Sequence, residues 1–136
     1  MHKFQSGTWV VVADSKHARL FHNVGEKHAL RLKQADVIKP DVGDANDQGT
    51  TGDPAPEVVQ GLIDEGAFVR QLAHRLNAAA LKQEFEHLFL IADPSTLGEI
   101  RPQLHVETSK RMSGELAKTL TNSSLEDIEK ALKAHV

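Results

Sequence analysis

Hydrophobic positions gather in two uninterrupted runs, Trp9-Val10-Val11-Val12-Ala13 and Leu88-Phe89-Leu90-Ile91-Ala92, each shorter than a helix and each stopped by an aspartate. A strand that is apolar on both faces must be covered on both, which places these runs at the centre of a sheet with helices above and below. Asp14-Ser15-Lys16-His17 forms a four-residue polar turn from the first run into Ala18-Arg19-Leu20-Phe21, predicting an antiparallel hairpin. Asn23-Val24-Gly25-Glu26-Lys27 turns the chain again. The segment Ala29 to Ile38 then alternates in part, as an edge strand with one wet face does.

Helical spacing follows. From about Asp64 to Phe85, Val69, Leu72, Ala73, Leu76, Ala80 and Leu81 form one apolar stripe, with Arg70, His74, Arg75 and Lys82 off it. A right-handed crossover through this helix lays the second apolar run parallel to the first. Asp93-Pro94 reads as a helix cap followed by proline in the first turn, and Leu97, Ile100, Arg101 and Leu104 continue that helix. Met112 to Leu120 reads as a last strand. Ser123-Ser124-Leu125-Glu126 is a capping box opening a terminal helix with Leu125, Ile128 and Leu132 on one face.

The expected architecture is therefore a three-layer α/β/α domain with a mixed five-stranded sheet. Its order, β-β-β-α-β-α-β-α, is that of ribonuclease-H-like domains. A chain of 136 residues, 40% of them apolar, fits one domain over residues 1–136.

Charge changes the picture in one place. The net charge is −3, and between Lys39 and Arg70 no basic residue occurs, whereas Asp41, Asp44, Asp47, Asp53, Glu57, Asp64 and Glu65 all do. Residues of about 40–60, rich in Gly, Asp, Thr and Pro, read as a flexible acidic loop. Such a segment repels a phosphate backbone, so a nucleic-acid face would lie elsewhere. The absence of cysteine excludes disulfides, thiol catalysis and cysteine-based metal sites. Met1 to Gly7 lacks an apolar signal core, and the apolar runs are far below a membrane span, so a cytoplasmic protein without membrane contact is expected.

Three segments together carry a resemblance. Val12-Ala13-Asp14 with Ala18-Arg19-Leu20-Phe21, Ala92-Asp93-Pro94 with Leu97-Gly98-Glu99-Ile100-Arg101, and Glu115 to Thr121 resemble the bacterial host-attachment protein family. That family is similar to the middle domain of archaeo-eukaryotic peptide-chain release factors. Two departures stand out. Thr119 sits where the family tail usually has aspartate, and Asp47-Gln48-Gly49 sits in the loop where release factors carry Gly-Gly-Gln.

Release-factor chemistry needs a glutamine held by permissive glycines beside the peptidyl-tRNA ester. Gln48 lacks the preceding glycine pair, which favours a solvated loop residue and argues against peptidyl-tRNA hydrolysis. Asp14 and Asp93 are expected at the C-terminal ends of neighbouring parallel strands, the crevice where open α/β sheets bind ligands. Two carboxylates there could hold Mg²⁺ for phosphodiester cleavage, with Glu57 or Glu65 as helpers. The plainer reading makes Asp14 a turn residue and Asp93 a cap. Lys16, Arg19, Arg101 and Lys118 could converge on the crevice as a small anion site, against the plainer reading of solvated or ion-paired side chains.

Other chemistries lack their patterns. The eight histidines form no metal-ligand spacing, and His17 and His22 point to opposite strand faces. A calcium loop starting at Asp44 would end on Ala55, where a bidentate glutamate is required. Ser15 and Ser95 lack a nucleophile-elbow context. The expectation is a binding module without cofactor, its resemblance implying RNA or the ribosome as partner. The alternative is a Mg²⁺-dependent nuclease at Asp14 and Asp93.

Overall fold

The computed structural model of the chain describes residues 5–25, 30–40 and 65–135, with Glu65 described by its backbone alone. The acidic loop expected at 40–60 lies outside the described residues except for Pro40, as do Gln48, Glu57 and the side chain of Glu65. Five strands form one mixed sheet: β1 (Trp9–Ala13), β2 (Ala18–Asn23), β3 (Leu32–Ile38), β4 (Leu88–Ala92) and β5 (Met112–Ala117). Their spatial order is β3-β2-β1-β4-β5. β1 runs antiparallel to β2 and parallel to β4, with Ala13 opposite Ala92, so both apolar runs lie side by side in the same direction.

Alternation of side chains sends each central strand into two apolar layers. Val11, Ala13, Leu88 and Leu90 pack with Phe68, Leu72 and Leu76 of α1 (Glu65–Leu81) and with Leu97 and Ile100 of α2 (Pro94–Ile100). Val10, Val12, Phe21, Phe89 and Ile91 face the other way, toward Ile128 and Leu132 of α4 (Leu125–His135). The three layers are those expected, and every residue of β4 is buried. Each fully buried Leu, Ile or Phe side chain contributes about 1.5–3 kcal/mol of transfer free energy, so the two layers hold the sheet from both sides.

Element ends differ from expectation for local reasons. α1 stops at Leu81, four residues early. The next turn closes through Gln83, whose φ of 60° is left-handed, and it sends Phe85 back into the core. Leu81, placed on the apolar stripe by its spacing, is 55% exposed because it sits in that final turn. The helix after Asp93 tightens into a 3₁₀ turn at Arg101–Gln103, since Pro102 has no amide with which to continue an α-helix. A short helix, α3 (Val106–Lys110), follows, capped by the His105 Nδ1 atom accepting from Glu107 N at 3.0 Å. β5 ends at Ala117, three residues early, where Lys118 N turns back to donate to Leu116 O. α4 is capped by Ser124, one residue later than Ser123, its Oγ accepting from Asp127 N at 3.1 Å. Leu125, in the first turn of that helix, is exposed, and burial falls to Ile128 and Leu132.

Candidate functional site

The hairpin tip, the β4–α2 junction and the segment after β5 meet at the C-terminal end of the parallel strands. Asp14 leaves β1 where Asp93 leaves β4, because Ala13 and Ala92 are in register. The Asp14 side chain folds over its own turn: Oδ1 accepts from Lys16 N at 2.8 Å and from His17 N at 2.9 Å. This is the self-closing geometry that makes aspartate a turn residue. The other oxygen reaches across the molecule and accepts from the Thr121 hydroxyl at 2.9 Å. His17 Nδ1 lies 3.4 Å from the same carboxylate.

Burial pushes the Asp14 carboxyl up, yet the donors from Lys16, His17 and Thr121 outweigh it and hold the group below the usual carboxylate value. Asp14 is thus a half-buried anion whose lone pairs are already directed at protein donors. Asp93 is committed in a similar way: its two oxygens accept from Thr96 N at 3.1 Å and from the Thr96 hydroxyl at 2.7 Å.

Arg19 completes the clasp. Its Nη1 donates to Thr121 O at 3.1 Å and to Ser123 O at 2.7 Å, its Nε donates to Gln34 at 3.0 Å, and its guanidinium lies 5.0 Å from the centre of the Phe21 ring. Arg19 and Asp14 therefore seize the same residue, Thr121, from two sides, one by its carbonyl and the other by its hydroxyl. Thr121 is 3% exposed. Lys16 lies in the hairpin turn and Lys118 just past β5, and both are exposed.

Of the residues singled out in the sequence, the structure brings Asp14, Lys16, Arg19, Asp93 and Lys118 to this one end. Arg101 sits elsewhere, past the far end of α2, where it grips Glu115 of β5 through Nε at 3.0 Å and Nη2 at 2.6 Å. The Glu115 carboxylate raises the Arg101 guanidinium pKa further. Sequence reasoning missed Thr121 as the partner of Asp14 and Glu115 as the partner of Arg101, although both residues bound the third segment of the resemblance, Glu115 to Thr121. Among the described residues, no cluster of three or more His, Asp or Glu side chains is placed to hold a metal ion.

Residues 7–132 match the family model described as bacterial archaeo-eukaryotic release factor family 12. The chain belongs to that family. No curated protein matches it in sequence. Solved structures similar to it include the archaeal translation termination factor aRF1, at 10% identity and a TM-score of 0.45, covering 94% of this chain and 39% of that one. They also include S. cerevisiae Dom34, a translation termination-like factor of RNA quality control that interacts with Hbs1, at 14% identity and a TM-score of 0.46. Coverage there is 96% of this chain and 34% of Dom34. The chain thus spans well under half the length of either structure. Among the described residues, no helix is long and apolar enough to cross a membrane.

Proposed function

We propose that this chain is a translation-associated binding module that docks on the ribosome through the C-terminal end of its sheet. Membership of the release-factor family is the observation that carries the reading, and the clasp at Thr121 supports it. The clasp spends Asp14 and Arg19 on fixing the hairpin tip against the tail. Lys16 and Lys118 are left exposed on a rigid frame, the arrangement expected of side chains that meet phosphate oxygens. The likeness to host-attachment proteins fits a regulatory role exerted from the cytoplasm.

Placement of Asp14 and Asp93 on adjacent parallel strands is the one feature that favours a nuclease. Both carboxylates already accept hydrogen bonds from the protein, Asp14 from Lys16, His17 and Thr121 and Asp93 from Thr96, which favours a structural role for both. Two assays separate the readings. Sucrose-gradient fractionation of lysate is expected to place the protein with ribosomal particles, and incubation with structured RNA and Mg²⁺ is expected to leave the RNA intact. Cleavage that disappears in both Asp14→Asn and Asp93→Asn would overturn the binding-module reading.

A further inference from the structure

Both apolar layers run out at β5. Leu104 and Met112 are only partly buried against the α1-side layer, and Leu116 and Leu120 are only partly buried against the α4-side layer. An open groove of about 400 Å³ runs beside the strand, lined by Leu104, Met112, Ser113, Gly114 and the Arg101–Glu115 pair.

Among the described residues, β5 is also an edge of the sheet. Trp9 N donates to His87 O while Leu88 N donates to Arg111 O, so successive residues of β4 face β1 and β5 in turn. The same alternation on β5 turns the backbone groups of Glu115 and Ala117 away from β4. Apart from the ladder itself, no backbone hydrogen bond among the described residues uses them.

Among the described residues the opposite edge is defended along its length, whereas β5 has only a register shift at Ser113, before the regularly paired stretch from Gly114 to Ala117. β3 exposes Lys33 and Gln34, carries a bulge facing Leu20/Phe21, pairs Asp36 with Arg75 at 2.7 Å and is followed by Pro40. Charge, bulge and proline are the devices that keep a strand edge from pairing with another. From Gly114 to Ala117 the sole charge is Glu115, and Arg101 neutralises it.

We infer that β5 is a self-association edge, on which a second copy of this chain pairs antiparallel about a two-fold axis at Leu116, fusing two five-stranded sheets into one. An isologous contact needs a patch that complements itself. β5 meets that need. The two-fold sets Glu115 against Ala117 of the second copy, which avoids opposed carboxylates and joins the outward backbone groups of both strands. Leu116 meets its own counterpart on the α4 side and covers the fringe left by Leu116 and Leu120. Small residues at Ser113, Gly114 and Ala117 permit close approach.

Light scattering coupled to size exclusion tests this, and it is expected to return twice the chain mass for the wild type. Ala117→Pro, which removes an outward amide, is expected to return the single-chain mass with an unchanged far-ultraviolet spectrum. Since the chain has no cysteine, Leu116→Cys places one thiol on the axis, and opposed residues of this kind have Cβ atoms about 4.5–5.5 Å apart, close to disulfide reach. Oxidation is expected to give a covalent dimer from Leu116→Cys and none from Lys33→Cys on the β3 edge. A wild type of single-chain mass from low-micromolar to millimolar concentration overturns the inference, as does equal crosslinking at both edges. Should Ala117→Pro fail to fold, the two cysteine variants decide by themselves.

Discussion

At the scale of single residues, Asp14 and His22 carry opposite electrostatic signatures. Asp14 keeps its charge in the fold because its donors outweigh its burial. Its folded pKa lies below the unfolded value of about 3.9, so its stabilisation is complete above that value and disappears as pH falls through the folded one. Asp14→Ala is expected to cost about 2 kcal/mol near neutral pH, the usual scale for hydrogen bonds to a charged group. Urea midpoints of wild type and variant should converge as pH falls below the ordinary carboxylate value and the folded Asp14 takes up its proton. His22 behaves otherwise: burial first, then repulsion from Lys33, pushes its pKa down, and its buried Nε2 finds no partner among the described residues while the ring stacks 5.3 Å from Trp9. As pH drops through 6.5 the unfolded chain takes up a proton that folded His22 refuses, so stability declines until the folded ring titrates as well. His22→Phe should flatten the decline in urea midpoint that the wild type shows as pH falls through 6.5. The role of Asp14 as a turn residue was readable from its position between Ala13 and Lys16. Its grip on Thr121 was not, because a contact spanning 107 positions leaves no trace in local spacing.

Among the elements, β1, β4 and the cap at Asp93 were legible because each is written in contiguous residues. α3 was not: five residues are too few to show a period, and its start is anchored from α1 by Asn77, which accepts from His105 N at 2.8 Å and from the Thr108 hydroxyl at 2.7 Å. The early ends of α1 and β5 have a similar origin, since Phe85 and Lys118 turn back for contacts that pattern alone does not encode. Packing between β5 and β4 makes a sharp prediction. A Cβ added to Gly114 would meet Phe89 Cε2 at 2.7 Å, and Phe89 is 3% exposed within the α4-side layer, so the ring has little room to yield. Gly114→Ala is expected to destabilise by about 1–3 kcal/mol in thermal or urea unfolding, the cost typical of overpacking. Ser124→Ala, which removes the α4 cap, should cost about 1 kcal/mol by the same measurement.

For the whole molecule, the distribution of charge decides where a polyanion can approach. The acids between Lys39 and Arg70 exclude it from that stretch of chain, whereas Lys16 and Lys118 are exposed at the end of the sheet where Asp14 and Arg19 are held by partners within the protein. Docking through those two lysines demands an affinity that falls as salt rises, with a slope set by the number of phosphates the lysines neutralise. The fold should be untouched by their removal, since exposed ion pairs and solvated lysines contribute at most about 1 kcal/mol each. The decisive measurement is an equilibrium titration of fluorescently labelled protein with purified ribosomes across a range of salt concentrations, for the wild type and for Lys16→Glu combined with Lys118→Glu. Saturable binding is predicted for the wild type, weakening with added salt, together with at least a tenfold loss of affinity and a shallower salt slope in the double variant at unchanged melting temperature. Equal affinity and equal slope for the two proteins, or no saturable binding by the wild type, would contradict it.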